Sequence, residues 1–250
     1  MSQAFLIPDW PVPLHVHAAV STRELAGCSA PPFGHANLGT RSGESADVVQ
    51  RNRVVLRDAL GLPAEPRWLH QVHGRHVVAQ GAVPPGAEPE ADAAVTRLPG
   101  TVLAILTADC LPLLFASADG SVVAAAHAGW RGLAAGVMEA TLTAMSCAPS
   151  QVVAWLGPCI GGPSYEVGEE VRTAFVDHAA SAAACFVPTR PGHWHCDLAA
   201  LARQRLMAAG VAGVHGGGFD TYTDLRFYSY RREGARSGRF ASLVWIDARG

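Results

Sequence analysis

The 250-residue chain is 49% apolar and 16% charged, too apolar for a disordered segment and long enough to bury a full core as one large domain or two small ones. Its 19 basic residues, all arginine, stand against 21 acidic ones for a formal charge of −2, which argues against a global nucleic-acid-binding field. Six cysteines over this length do not make a disulfide framework, so the thiols are expected to be free and reduced.

Residues 1–13 show neither a basic start nor an apolar run of signal length, because Pro8, Asp9, Pro11 and Pro13 interrupt them. The expected compartment is the cytoplasm. Residues 47–60 place Val48, Val54, Val55, Leu56 and Ala59 on a helical period closed by Gly61 and Pro63, which predicts a helix. Residues 68–72 and 76–78 read as strand around a turn at Gly74, and 81–90, rich in proline and glycine, as a loop. Three short buried strands follow at 101–106, 111–115 and 122–126, separated by Ala108-Asp109-Cys110 and by the turn Ala118-Asp119-Gly120. The stretch 101–115 is broken by Asp109, Cys110 and Pro112, short of the roughly 18 apolar residues that would suggest a bilayer span. An alanine-rich helix runs from Gly132 to about Met145, then a strand at 152–156, helices at 169–178 and 197–209, and a last strand at 241–246. Such interleaving predicts one compact α/β or α+β domain over 1–250, with mixed sheets and outer helices.

Reactive side chains fall at strand ends beside glycine in His70-Gln71-Val72-His73-Gly74, in Thr107-Ala108-Asp109-Cys110-Leu111-Pro112 and in His127-Ala128-Gly129-Trp130-Arg131-Gly132. Two imidazoles and a thiol would make a three-ligand site of the mixed N and S type that suits Zn²⁺ and leaves a fourth position open. A metal-free alternative uses the same residues, with Cys110 as nucleophile and His127 as base. The segment from Arg226 to Gly234, with Arg236 and Arg239 behind it, clusters guanidinium groups that suit phosphate or carboxylate, and Arg131 adds another beside His127. The pairs His15/His17 and His193/His195 have copper-like spacing but are expected to be structural or peripheral. Gly216-Gly217-Gly218 reads as a turn.

Taken together, Gln71-Val72-His73-Gly74, the Cys110 and His127 motifs, the stretch from Leu156 to Gly168 and Phe227-Tyr228-Ser229-Tyr230-Arg231-Arg232 resemble the YfiH family, over nearly the whole chain. That family is also called laccase-domain or polyphenol oxidase and is described as purine nucleoside phosphorylase. The resemblance implies a fold related to toxin-type cysteine hydrolases and metal ligation by His73, Cys110 and His127, with Zn²⁺ expected and Cu²⁺ as the alternative. It further implies phosphorolysis of adenosine, inosine and methylthioadenosine, with adenosine deamination as a second activity. Copper-dependent oxidation of phenols and peptidoglycan-precursor editing are the rival activities proposed for relatives.

On this basis catalytic roles fall to Asp109, Cys110 and Arg131, and substrate binding to Asn37, Gln71, Tyr230 and Arg231. Arg131 or Arg231 would hold phosphate, and Asp109 would shuttle a proton during deamination, unless it only bonds the turn around Cys110. Asp220 stands where many relatives carry cysteine, which removes a soft ligand and weakens any copper-cluster reading. His70 is not expected to be a ligand. The expected partners are a purine nucleoside and phosphate, without nucleic acid or membrane, in a monomer or weak homodimer.

Overall fold

The computed structural model describes residues 4–247. Residues 1–3, part of the segment read for a signal, lie outside the described residues. In chain order the elements are β1 (Phe5–Leu6), β2 (Val16–Ser21), α1 (Ala46–Leu60), β3 (Val77–Ala79), β4 (Ala93–Thr96), β5 (Leu103–Thr107), β6 (Leu111–Ser117) and β7 (Val123–Ala128). They continue with α2 (Trp130–Ala135), α3 (Val137–Met145), β8 (Val152–Leu156), β9 (Glu166–Gly168), α4 (Glu169–Val176), β10 (Phe186–Arg190) and β11 (His193–Cys196). Last come α5 (Leu198–Ala208), β12 (Gly213–Gly216), α6 (Tyr230–Glu233) and β13 (Phe240–Ile246).

Two sheets stack face to face. One has the antiparallel order β1-β2-β13-β5, and the other the mixed order β12-β8-β6-β7-β4-β3, with β12/β8 and β4/β3 parallel. Period-two alternation explains the layering. Along β13, Phe240, Val244 and Ile246 enter the core between the sheets, while Ala241 and Leu243 face the cluster that includes Leu56 of α1. Along β6, Leu114 and Ala116 point into the intersheet core, and Leu111, Leu113 and Phe115 pack with α3 and α5 on the other side. The result is four layers, helix–sheet–sheet–helix, in which both principal sheets are covered on both faces. That is why β6 and β7 read as continuous apolar runs rather than as alternating ones. A third, smaller sheet of order β10-β11-β9 is separate in its hydrogen bonding, and its Val167, Phe186 and Cys196 join the core on the α3 and α5 side.

The expected mixed α/β architecture with outer helices is the one observed, and β8 occupies 152–156 as read. The hairpin turn between β6 and β7 forms at the expected place, with Ser117 Oγ and Ser121 N both donating to Asp119 Oδ1 and Gly120 at φ +69°. Three expectations are corrected. Residues 68–72 are not a strand: the bridges here are isolated, Arg67 just before the segment with Leu103 of β5 and His70 with Glu90 of a loop, so no ladder forms. The alanine-rich helix breaks at Gly136, whose φ of +93° ends α2 and starts α3. The buried stripe of α1 is Val49, Asn52, Arg53 and Leu56, since Asn52 and Arg53 bury polar ends by bonding the 28–38 loop. No helix among the described residues is long and apolar enough to cross a membrane.

Candidate metal centre

The chain passes from the four-stranded to the six-stranded sheet through the turn between β5 and β6, and Cys110 sits in that turn. His127 lies on β7 opposite Pro112 of β6, which sets it beside Cys110. His73 comes from the turn that leads into β3. Three segments distant in sequence thus meet at one end of the sheets. Cys110 Sγ lies 3.7 Å from His73 Nε2, and the ligand atoms of His73, Cys110 and His127 all fall within 4.8 Å of one another. Ligands at ordinary zinc bond lengths stand about 3.5 Å apart around a tetrahedral ion, so donor types and spacing both fit a divalent cation. No other His, Cys, Asp or Glu trio converges in this way among the described residues. The pairs His15/His17 and His193/His195 are therefore peripheral: His17 Nε2 bonds Asp247 at 2.9 Å, and His193 and His195 sit on the small sheet.

Sequence reasoning missed Asp92, which is fully buried just before β4. Its Oδ1 lies 2.8 Å from His127 Nδ1 and accepts from His73 N at 2.9 Å, while Oδ2 accepts from Val72 N and Gly74 N. The only sequence signal is an acid set among alanines at the start of an apolar strand. Burial opposes ionisation of the Cys110 thiol, but the charge and hydrogen bond of His127, followed by those of His73, outweigh it and lower the pKa to about 6. Burial likewise disfavours the charged form of His127, yet Cys110 and Asp92 raise its pKa above the ordinary imidazole value. Both shifts favour the charged forms, thiolate and imidazolium, of the pair.

Two non-glycine residues at the centre take left-handed backbone, His73 at φ +63° and Asp109 at φ +89°. Such conformations cost on the order of 1–2 kcal/mol each and persist only where the surroundings fix them. His73 is fixed through Asp92. Asp109 is fixed by Thr221 Oγ1, which donates to Oδ1 at 2.6 Å, and by Arg231 N, which donates to Oδ2 at 2.6 Å. Gly129 is constrained differently: a Cβ there would lie 2.7 Å from His73 Cδ2 and 3.0 Å from Cys110 Sγ.

The trio forms part of the wall of a cavity of about 580 Å³, within the range of small-molecule sites. Leu69, Leu106, Ile160 and Leu198 make it apolar, Trp130, Tyr165 and Tyr230 add rings, and Arg41, Arg131, Arg231 and Arg239 add charge. Arg131 stacks over Trp130 at 4.5 Å and Arg231 over Tyr165 at 5.3 Å. Among the described residues, the guanidinium groups of Arg231 and Arg239 donate to backbone carbonyls, those of Glu166, Ser237 and Gly238. Among the described residues, Arg131, Arg231 and Arg239 have no carboxylate ion-pair partner, whereas Arg41 faces Glu88 at 3.4 Å. The sequence offers Arg239 only as part of a cluster, Tyr165 only within the 156–168 motif and Arg41 in no motif, because their approach to the cavity depends on distant loops.

The remaining expected residues divide. Gln71 lines the cavity, with its amide spent on both backbone groups of Leu106. Tyr230 stands at the lip, half exposed. Asn37 is not on the cavity wall: it is fully buried, its Oδ1 accepting from Gly39 N and Arg239 N and its amide donating to Ser42 Oγ and Glu44. It braces the Gly39–Ser42 stretch and Arg239, which do line the cavity. Asp220 accepts from Gly161 N, Ser164 Oγ and Tyr222 N, so its carboxylate ties loops together and lies outside the converging trio.

Comparison with known proteins gives the chain's family. Residues 17–247 match the family described as multi-copper polyphenol oxidoreductase laccase. A purine nucleoside phosphorylase of Xylella fastidiosa is 51% identical over 251 residues, covering 96% of each chain, and purine nucleoside phosphorylase YfiH of Escherichia coli is 46% identical over 242 residues, covering 96% of this chain and 98% of that one. A crystal structure from Neisseria meningitidis superposes with a TM-score of 0.93 at 43% identity, covering 98% of this chain and all of the other. With its motifs, its fold and nearly its whole length shared with these proteins, the chain belongs to the laccase-like YfiH family.

Proposed function

We propose that this protein is a purine nucleoside phosphorylase acting on adenosine, inosine and methylthioadenosine, with adenosine deamination as a side activity. The observation that carries the proposal is a cavity that faces the His73, Cys110 and His127 donors and also three guanidinium groups that, among the described residues, form no ion pair with a carboxylate. The relatives named purine nucleoside phosphorylase support the same reaction class.

In phosphorolysis a phosphate oxygen forms a bond to the anomeric carbon as the glycosidic bond breaks. The bonding pair leaves with the purine, which takes up a proton, and a ribose 1-phosphate remains. Arg131, Arg231 and Arg239 suit the attacking dianion because their forks donate in pairs and, among the described residues, no carboxylate is ion-paired with them. Tyr165 and Tyr230, with the apolar wall, suit a planar base and exclude water around it. Asp109 holds the backbone of Arg231, and those bonds support a positioning role in place of the proton shuttle suggested by the sequence. His73, Cys110 and His127 would hold Zn²⁺, with Cu²⁺ as the alternative, and the ion would supply Lewis acidity toward a base nitrogen or a water. The nucleoside and phosphate are the proposed partners, in the cytoplasm.

Purified protein incubated with adenosine should release adenine and ribose 1-phosphate only when phosphate is present, with inosine marking deamination. Release of adenine at the same rate without phosphate would replace the phosphorylase with a hydrolase. Oxygen uptake on a phenol, scaling with added copper, would support the oxidase instead. A second reading has its own observation: Cys110, His127 and Asp92 also have the order of a nucleophile, a base and an orienting carboxylate. Activity retained in metal-free protein but abolished by alkylation of Cys110 would favour that metal-free hydrolase.

A further inference from the structure

We infer that Asp92 is the positioning residue of the metal centre, one carboxylate that sets both imidazole ligands at once. The inference rests on His73, Cys110 and His127 forming a cation site, and it concerns how that site is pre-shaped.

A buried carboxylate surrounded by donors is common as a fold anchor, so the pattern of its bonds has to carry the argument. Each Asp92 oxygen is engaged twice: Oδ1 with the His127 ring and with His73 N, Oδ2 with Val72 N and Gly74 N. Three of these four partners are consecutive amides of the turn that carries His73. The fourth is the ring nitrogen of His127 that faces away from Cys110. A carboxylate accepts only, so the bond at Nδ1 selects the His127 tautomer with its proton there and leaves Nε2 free to ligate. The same oxygen then holds His73 in the left-handed backbone that presents Nε2 3.7 Å from Cys110 Sγ.

Its place in the chain makes Asp92 suited to this task. It precedes Ala93, which pairs with Ala126 at the start of the β4/β7 ladder, and its carbonyl accepts from His127 N at 2.7 Å. Its own N–H donates to His76 O on the other side of the His73 turn. Asp92 is therefore tied by main chain to both ligand segments, and its side chain adds the orientation of each ligand. A residue serving only the fold would not need to meet the ring nitrogen opposite the metal-facing one.

The test is the affinity of the purified protein for Zn²⁺, by competition with a chelator, together with the spectrum of the Co²⁺-substituted form, for wild type, Asp92→Asn and Cys110→Ser. Asparagine keeps the volume but turns one acceptor into a donor. It should weaken Zn²⁺ binding by about 10- to 100-fold and alter the cobalt ligand-field bands, while leaving the circular dichroism of the metal-free protein unchanged. Equal affinity and an identical cobalt spectrum in Asp92→Asn, with tight binding in wild type lost in Cys110→Ser, would overturn the inference about Asp92 alone. Absence of binding in wild type, or full binding in Cys110→Ser, would instead overturn the three-ligand centre and the inference with it. Should Asp92→Asn fail to fold, ¹H–¹⁵N spectra of Zn²⁺-loaded wild type decide the matter. A protonated Nδ1 and a ligating Nε2 at His127 support the positioning role, and ligation through Nδ1 overturns it.

Discussion

At the level of single residues, the chemistry of the site comes from neighbours that shift each group away from its behaviour in water. Cys110 is the clearest instance. His127 and His73 lower its pKa to about 6, which favours the thiolate. In metal-free protein, iodoacetamide should therefore modify Cys110 at a rate that rises through about pH 6 and levels off above it, where an unperturbed thiol would still be rising at about 8.5. Mass spectrometry of the modified peptide reads this directly, and a midpoint near the ordinary value would show that the imidazoles do not hold the thiolate. The arginines make a second case. If Arg131 binds the attacking anion, Arg131→Ala should raise the KM for phosphate about tenfold or more, in line with the roughly 1.5–3 kcal/mol of a charged hydrogen bond, and change the KM for nucleoside less. Steady-state kinetics with each substrate varied in turn separates the two. The donor types were legible in the sequence; Asp92 was not, because an aspartate before a strand gives no sign of which imidazole it will meet.

Among the elements, those set by local pattern were the easiest to read. Strand β8 and the Asp119-Gly120 turn follow from an apolar run and a residue pair whose backbone preferences are local. Residues 68–72 read as strand because their side chains suit one, but the segment makes only an isolated bridge at His70 and enters no ladder. The helix after β7 misled because alanine favours helix on both sides of Gly136 while the glycine's positive φ breaks it. The short join from β7 to α2 is where element geometry and chemistry meet most closely. Gly129→Ala would place a methyl group against His73 and Cys110, so it should abolish tight Zn²⁺ binding while far-ultraviolet circular dichroism stays as in wild type. A variant that binds Zn²⁺ normally would mean the two side chains can part without loss of the site.

For the molecule as a whole, stability and function are placed in different layers. The intersheet core is predominantly apolar, with Leu114 fully buried between the sheets, and the cavity opens at the end where the chain crosses from one sheet to the other. Leu114→Ala should lower unfolding free energy by about 2–5 kcal/mol in urea titration, while Met207→Ala, on the exposed side of α5, should stay within about 0.5 kcal/mol. Comparable losses for both would mean the intersheet layer does not carry the fold. The sequence by itself determined the apolar strands and their covered faces, the mixed architecture, and the supply of two imidazoles, a thiol and many guanidinium groups, since each of these is written in local period or side-chain chemistry. Only the tertiary structure decided that His73, Cys110 and His127 converge, that Asp92 stands behind them, that Asn37 is a brace beneath the cavity wall, and which arginines are left without acids. Those outcomes depend on loops brought together by the packing of whole sheets. No window of the chain encodes a distance between segments that meet only after the layers have closed.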